Sequence, residues 1–293
     1  MAFRAAVLLP FLFSNAIAAQ TLAPRPVQAT RTGVFQEPDL RESSGVVTSS
    51  AMRGVLYTFN DSGNPPEIFA TDSSGRAMGR WRIPGIRNRD WEAMARGPCP
   101  DGSCLYIGDI GDNGEKQSQV VIYRVREPVT FQRFRGAADP APLDLDSLRY
   151  RYPDRPRDAE AMWVDRNSGI FVVTKGRSDS VRLFRIPSAG FTSGRTVTAE
   201  LVQELPIVPD ARLGRLVTDA ALSPTGTRVA IRTYSELYLF PVLAAGRLGA
   251  PVSCNVAGLE KQGEGITWLD DRRLLLTSEA VVTAGPIHIV TCG

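Results

Sequence analysis

The sequence predicts an all-β protein, a single β-propeller, because one pattern of residues recurs along the chain. Each copy opens with an acidic residue followed by small and apolar residues, then a turn sequence and two further short apolar runs. The opening acids lie 45 to 68 residues apart and are Glu42, Glu92, Glu160, Asp219 and Glu264. Propeller blades repeat every roughly 40–50 residues, and loop insertions lengthen that period. We therefore predict four-stranded blades, five in number, with six as the alternative if one degenerate copy is hidden.

The apolar runs place the strands within each copy, and the first strand begins at the acidic residue. The second strands are predicted at "LYTFN", "LYIGD", "IFVVT", "VAIRT" and "LLLTS", which end at Asn60, Asp109, Thr174, Thr233 and Ser278. The third strands are predicted around "IFA", "IYR", "LFR", "LYL" and "IHI". Two fourth strands are visible, "MGRWRI" over residues 78–83 and "SLRYRY" over residues 147–152.

The last copy ends with the chain at Gly293, after its third strand. We predict that "ATRTGVF", residues 29–35, supplies the missing fourth strand from the N-terminal side. An N-terminal strand that completes the C-terminal blade closes the ring and leaves no open sheet edge there.

The four cysteines are predicted to form two disulfides. Cys99 and Cys104 flank the turn sequence "PDGS", so a bridge across that turn is expected, and Cys254 then pairs with Cys292 at the seam. Zinc is the rival interpretation, but neither pair has two-residue spacing and the chain has one histidine, His288. That histidine stands in the third-strand slot occupied elsewhere by aromatic residues, so we interpret it as a packing residue.

The N-terminal residues resemble a signal peptide. Arg4 precedes a short apolar core, and Ala16 and Ala18 form a small-x-small cleavage pattern. We expect cleavage after Ala18 or Ala19, so that residues 1–19 are a signal peptide and residues 20–293 form the propeller domain. The mature chain shows no apolar run of the roughly 20 residues that a membrane span needs. The expectation is an exported monomer, periplasmic or secreted.

The net charge of +3 is small and the basic residues are scattered along the chain. A nucleic-acid-binding protein should show a basic patch or stripe. We therefore expect no nucleic-acid partner.

In a propeller the first strand of each blade lines the central channel. The start of the first strand and the end of the antiparallel second strand lie at the same end of that channel, here called the channel mouth. Candidate metal ligands at the mouth are Glu42, Glu92, Asp109, Glu160, Asp219 and Glu264. Candidate ligand-binding residues are Asn60, Asp61, Asp112, Asn113, Lys175, Arg232 and Glu279. Asp90 and Asp158 approach from the preceding loops, in "RDWEAM" and "RDAEAM".

Two interpretations of these acids stay open. Crowded carboxylates repel one another, so a hard cation could compensate them, and mixed carboxylate, amide and carbonyl oxygens suit calcium. Alternatively, each acid accepts hydrogen bonds from backbone amides of the neighbouring blade, with Lys175 and Arg232 balancing the charge. The loop "GDIGDNG" is itself a poor match to an EF-hand, because Gly111 and Val120 stand where that motif has ligands.

Several segments together resemble a group of exported bacterial propellers: "RDWEAMA", "LYIGDIGDN", "IYRVREP", "DAEAM" and "QGEGIT". The resemblance covers most of the mature chain and implies the fold and export. More distantly the pattern is similar to gluconolactonase- and paraoxonase-like propellers and to esterase-like phytases. Those families imply calcium-assisted hydrolysis at the channel mouth. Paraoxonase-like enzymes place histidines near the metal, whereas this chain offers only His288.

Two functions are therefore predicted as alternatives. In the first, the propeller binds a small molecule, a glycan or an extracytoplasmic protein at the channel mouth, with or without calcium. In the second, it is a calcium-dependent hydrolase of a lactone, ester or phosphate ester. In that case Glu92 or Glu160 is the candidate general base.

Overall fold

The computed structural model describes residues 23–100, 102–129, 145–167, 169–280 and 284–293. The predicted signal peptide lies outside these described residues. The described part of the chain is nearly all-β, with 51% of its residues in strands and bridges. Within the described ranges the helical segments are one short α-helix and one 3-10 turn, whose bounds are given below. No helix in those ranges is long and apolar enough to cross a bilayer.

The described chain starts with strand β1 (Arg25–Val34) and continues as antiparallel sheets of successive strands. The first sheet pairs in the order β2 (Ser43–Thr48), β3 (Leu56–Asn60), β4 (Glu67–Thr71) and β5 (Ala77–Arg82). The second pairs in the order β6 (Trp91–Cys99), β7 (Gly102–Asp109), β8 (Val120–Arg126) and β9 (Leu145–Arg151). The predicted fourth strands are confirmed as β5 and β9.

The later sheets repeat this order. The third contains β10 (Ala159–Val164), β11 (Ile170–Thr174) and β12 (Arg182–Ile186), then helix α1 (Gly190–Ser193), the short β13 (Val197–Thr198) and β14 (Glu200–Glu204). Strand β14 completes this sheet, whereas β13 runs parallel to β9 of the preceding one. The fourth set is β15 (Val217–Leu222), β16 (Arg228–Thr233), β17 (Glu236–Pro241), the 3-10 turn Ala244–Gly246 and β18 (Val252–Asn255). The last is β19 (Gly263–Trp268), β20 (Leu274–Ser278) and β21 (Pro286–Cys292).

The first strands of the sets pack side by side in a closed circuit. Strand β2 contacts β6 and β19, β10 contacts β6 and β15, and β15 contacts β19. The second strands β3, β11 and β20 are buried at every position, as expected where other sheets cover both faces. The fourth strand β9 instead alternates, with Leu148 and Tyr150 buried between more exposed residues. This arrangement puts the first strands around a central axis, as in a propeller.

The predicted closing strand is confirmed. Strand β1 pairs antiparallel with β21, from Val27 opposite Cys292 to Val34 opposite Pro286. At its N-terminal end β1 also pairs in parallel with β18, which joins the last two sets into one eight-stranded sheet.

Both predicted disulfides are confirmed, and they close loops of very different length. Cys99–Cys104 spans five residues at the β6–β7 turn, whereas Cys254–Cys292 spans 38 residues and joins β18 to β21 at the seam. Loop-closure entropy therefore predicts that Cys254→Ser/Cys292→Ser lowers the free energy of unfolding by about 4 kcal/mol and Cys99→Ser/Cys104→Ser by about 2 kcal/mol. Denaturant unfolding of the two double variants measures both losses. The reverse order would contradict a dominant role for the seam bridge.

Candidate functional site

A shift of register at the start of each first strand determines which residues lie at the channel mouth. In β6 the pairing of Trp91 with Asp109 is followed by Ala93 with Gly108, so Glu92 is a bulged residue. The same shift occurs at the start of β2, β10, β15 and β19. The residues that follow the first pair are Ser44, Glu92, Glu160, Thr218 and Glu264. Bulges of this kind redirect side chains and are common beside functional sites.

This register corrects the repeat alignment made from the sequence. That alignment made Glu42 and Asp219 equivalent to the other three acids, whereas the bulge positions of their strands hold Ser44 and Thr218. Glu42 precedes its strand and is exposed. The hydroxyl groups at the two corrected positions bridge neighbouring blades, since Ser44 donates to the backbone oxygen of Glu92 at 3.2 Å and Thr218 to that of Glu264 at 3.0 Å.

A second group of mouth residues consists of those that directly follow the second strands. These residues are Asp61, Ile110, Lys175, Tyr234 and Glu279. Tyr234 was not among the sequence-based candidates, although it occupies the same place in its repeat as Asp61 and Lys175. An alignment extended by one residue would have found it.

Asp61, Asp90 and Glu92, here called the acid triad, bring their carboxylates together at the mouth. Each offers one oxygen, and these oxygens lie within 4.8 Å of one another. Glu92 is 5% exposed, and Asp61 and Asp90 are partly buried. Burial, reinforced by the charges of Asp61, Asp158 and Asp109, raises the pKa of Asp90 to about 6. Burial and the charge of Glu160 raise the pKa of Glu92 well above its usual range.

The second half of the mouth, beyond the acid triad, contains one cation, Lys175, among further acids. The Lys175 ammonium contacts Glu160 Oε1 at 2.5 Å. Burial alone would lower the pKa of Lys175, but the negative charge of Glu160 raises it overall, so the amine stays protonated. Despite this partner, burial raises the pKa of Glu160 to about 7. The side chains of Glu92 and Glu160 lie close enough for each to influence the pKa of the other, which links the two halves.

Two more acids, Glu264 and Glu279, belong to this second half of the mouth. Burial and the charge of Glu160 raise the pKa of Glu264 well above its usual range, and burial and the charge of Glu264 raise the pKa of Tyr234. Burial and the charges of Asp61 and Glu42 raise the pKa of Glu279 to about 7. In the described residues the mouth therefore holds far more carboxylates than cations.

Asp219 has a different environment from the mouth acids. Its Oδ1 accepts the Ala220 N–H at 2.8 Å and its Oδ2 accepts the Ile266 N–H of the next set of strands at 2.9 Å. The residue is fully buried. Oδ2 thus links two neighbouring first strands, as the structural interpretation of the repeated acids expected, while Oδ1 is occupied within its own strand.

We therefore expect Asp219→Ala to lower the free energy of unfolding by about 3 kcal/mol, because two buried backbone N–H groups lose their acceptors. Denaturant unfolding measures this loss. The control is Glu42→Ala, which removes an exposed carboxylate and should stay within about 0.5 kcal/mol of the wild type. Equal effects of the two substitutions would contradict the assigned role of Asp219.

The loop "GDIGDNG" is fastened to its surroundings by its polar residues. Asp109 Oδ1 accepts the Asp90 N–H at 2.9 Å, and Asp112 Oδ2 accepts the Gln117 N–H at 2.7 Å. The Asp112 N–H donates to Asp158 Oδ1 at 2.8 Å, and Asn113 accepts a hydrogen bond from Arg177. These contacts explain most of the acids and amides of the loop as structural.

Gly111 is the part of this loop that shapes the mouth. A Cβ at this position would lie 2.5 Å from the Asp90 carboxylate and 2.8 Å from Glu92 Oε1. The absence of a side chain therefore lets the loop backbone pass directly beside two members of the acid triad.

The substitution Gly111→Ala should displace these two carboxylates and weaken any cation bound by the triad about tenfold, a cost typical of disturbing the surroundings of metal ligands. Calorimetric titration with calcium measures the affinity. The matched control is Gly114→Ala in the same loop, where the nearest atom to a Cβ would be 3.6 Å away. Equal affinities of the two variants would show that the close approach of Gly111 has no role in binding.

The remaining candidates have structural partners. Asn60 Oδ1 accepts the N–H groups of Arg41 and Glu42, both at 2.9 Å. Arg232 is buried, donates to the Gly265 and Thr277 carbonyls and pairs with Glu260.

Glu260 also contacts Nδ1 of His288 at 2.9 Å, in a buried group that the sequence did not reveal. Nothing in the sequence distinguishes Glu260 from other loop acids, because its partners lie on distant strands. His288 is buried in its third strand, as expected of a packing residue.

Comparison with known families and with curated proteins gives no match to this sequence. Solved structures do resemble the fold. The PQQ-bound aldose sugar dehydrogenase of Streptomyces coelicolor is 12% identical, with a TM-score of 0.52, and the match covers 92% of this chain and 99% of that one. The aldose sugar dehydrogenase of Escherichia coli is 10% identical (TM-score 0.49, covering 91% and 100%), and a gluconolactonase of Xanthomonas campestris is 11% identical (0.46, covering 93% and 96%). At 12% identity the first of these likenesses shows the fold alone, a β-propeller.

Proposed function

We propose that this chain is an exported, five-bladed propeller closed by β1, which binds a calcium ion at the acid triad and, through it, a ligand at the channel mouth. The observation that supports this most directly is the approach of three carboxylate oxygens, from Asp61, Asp90 and Glu92, to within 4.8 Å of one another. The five sets of strands and the circuit of their first strands support the blade number.

The electrostatics of the mouth favour a cation. Ionised carboxylates at this separation repel one another, and burial makes each charge more costly. Lys175 is paired with Glu160 and offsets the charge of the triad only in part, since the pKa values of Asp61 and Glu92 stay raised despite its charge. A divalent cation would offset the repulsion and leave the acids ionised.

The available ligand atoms favour calcium over zinc or copper. All four cysteines form disulfides, and His288 contacts Glu260 within a buried group. The mouth therefore presents oxygen atoms, which hard cations prefer. Calcium tolerates irregular sets of six to eight oxygens, whereas magnesium demands a near-ideal octahedron.

A bound cation would keep coordination positions free for an oxygen of the ligand, since the triad alone does not fill a calcium shell. The second half of the mouth, with Glu160, Lys175, Tyr234 and Glu279, lies next to that position and would contact the rest of the ligand. A small molecule, a glycan or a protein segment could each present such an oxygen.

The proposal is tested on the chain from Gln20 after removal of metal by a chelator. We expect a saturable rise of the melting temperature on titration with calcium and a much smaller rise with magnesium. A protein whose melting temperature responds to neither ion would overturn the proposed cation site.

One observation favours the alternative, a calcium-dependent hydrolase. Burial raises the pKa of Glu160 to about 7, which is the range in which a general base works best near neutral pH. Glu160 adjoins Glu92 and hence the cation position. Here Glu160 would take a proton from water attacking a lactone, ester or phosphate ester polarised by the cation.

A substrate panel with these three bond types, assayed with calcium and with chelator, tests the alternative. Hydrolysis that requires calcium and is lost in Glu160→Gln would support it. Calcium binding without hydrolysis of any of the three would leave the binding function as the proposal.

A further inference from the structure

The channel has a second open end, and it holds a pocket unlike the acidic mouth. A cavity of about 300 Å³ lies where the first strands β2, β6, β10, β15 and β19 end, and residues from all five line it. The mouth acids stand at the opposite ends of these same strands. We call this cavity the distal pocket.

The floor of the distal pocket is apolar and rigidly packed. Met94, Met162, Trp163 and Trp268 line it, and none of them is more than 4% exposed. The Trp163 ring stacks on Phe171 with centroids 5.3 Å apart and planes 11° from parallel. Ligand pockets typically combine such a preformed apolar floor with a few polar groups.

A hydrogen bond holds the second tryptophan of the floor. The Trp268 Nε1–H donates to the Ala221 carbonyl at 3.0 Å. Its polar atom is therefore satisfied within the fold, and the Arg228 guanidinium lies over its ring, 5.0 Å from the centroid.

The rim of the pocket carries a small excess of positive charge. Arg96 and Arg166 lie at the rim and are exposed, and Asp165 is the acidic residue among the described lining residues. The Asp165 carboxylate is occupied locally, since its Oδ1 accepts the N–H groups of Asn167 and Gly169, both at 2.8 Å. Arg166 Nη2 donates to the Pro224 carbonyl at 2.6 Å, which holds the guanidinium at the rim and leaves its other N–H groups available.

We propose that the distal pocket is a second binding site, independent of the mouth, for a small apolar molecule that carries one negative charge. The apolar part would lie on the methionine and tryptophan floor, and the anionic group would pair with Arg166 at the rim. Charge-assisted hydrogen bonds to a planar guanidinium orient such groups well. The acidic mouth would repel the same molecule, so the two ends of the channel select ligands of opposite charge.

The test uses 1-anilinonaphthalene-8-sulfonate, an aromatic molecule with one sulfonate, as the probe. We expect one saturable site, seen as enhanced probe fluorescence in the folded protein. Arg166→Gln should weaken binding about tenfold, which corresponds to one charge-assisted hydrogen bond. The matched control is Arg195→Gln, which removes an exposed arginine outside the pocket and should leave the affinity unchanged.

Two further measurements locate the probe. Thr48→Trp places a large side chain at the rim and should reduce binding, whereas chelator and Glu92→Gln should leave it unchanged. The uncharged N-phenyl-1-naphthylamine should bind more weakly than the sulfonate and should be insensitive to Arg166→Gln. Melting temperatures establish that each variant is folded.

The absence of a saturable site in the wild-type protein would overturn the proposal. So would equal affinities of wild type, Arg166→Gln and Thr48→Trp. Neither result would affect the proposed cation site, because the two sites share no residues.

Discussion

Conversion of Asp90 and Glu92 to their amides, Asp90→Asn with Glu92→Gln, should weaken calcium binding by at least about 100-fold. Two charged oxygens of the acid triad are lost while the shapes of the side chains are kept. Changes around metal ligands already cost about 10–100-fold in affinity, so the loss of two direct ligands should cost no less. Isothermal calorimetry on the chelator-treated protein measures the change.

The same double variant should be at least as stable as the wild type when calcium is absent. Burial and like charges raise the pKa of both carboxyls, so their ionised forms are unfavourable in the fold without a cation. Amides remove that repulsion. Loss of calcium binding together with retained stability would distinguish a ligand role from a structural role.

The control is Glu204→Gln, which removes one carboxylate from the edge strand β14, where it pairs with Arg182 at the surface. Its calcium affinity should equal that of the wild type. Unchanged affinity in the double variant, or an equal loss in Glu204→Gln, would mean that the triad does not hold the ion.

The second large effect concerns pH. Without calcium, stability should fall as the pH rises, whereas the stabilisation that calcium adds should increase. In the calcium-free protein burial raises the pKa of Asp90 from 3.8 to about 6, and those of Glu160 and Glu279 from 4.5 to about 7. The folded chain therefore binds more protons than the unfolded chain between about pH 4 and 7. Stability from these groups is present at the acidic end of that range and is lost as the pH rises through the folded pKa values.

Calcium should reverse this trend, because it binds ionised carboxylates and must displace their protons. Its apparent affinity should rise by up to about tenfold per pH unit for each proton displaced. We expect the melting temperature without calcium to fall from pH 5 to pH 8, while the increase caused by calcium grows over the same range. Glu279→Gln should flatten part of the calcium-free decline. Parallel melting curves with and without calcium across this range would argue against proton-linked binding.

The propeller could be predicted from the sequence because its strands are local and repetitive. Each second strand is a short apolar run bounded by turn residues, and burial on both faces makes that run continuous, as in "IFVVT". The seam was predictable for a related reason: the last copy lacked a strand that residues 29–35 could supply. The disulfides followed from the position of Cys99 and Cys104 around one turn, which left the other two cysteines as a pair.

The exact membership of the mouth was not predictable in this way. The alignment of repeats placed Asp219 at the channel. The one-residue bulge in β15 places Thr218 there instead, because neighbouring residues of a strand face opposite sides. The partners of Arg232 also could not be read from the chain, since Glu260 is 28 residues away and is brought to it by the packing of separate blades.

The sequence by itself determined the class of fold and its closure by β1, because these depend on local apolar patterns and on one strand missing from the last copy. Only the tertiary structure decided which acids meet. The carboxylates of Asp61, Asp90 and Glu92 converge, and the loop backbone at Gly111 passes directly beside the last two, while Asp109, Asp112 and Asp219 accept hydrogen bonds from backbone amides. The physical reason is that these contacts join residues far apart in the chain, such as Asp219 and Ile266 of neighbouring blades, and no local pattern records them.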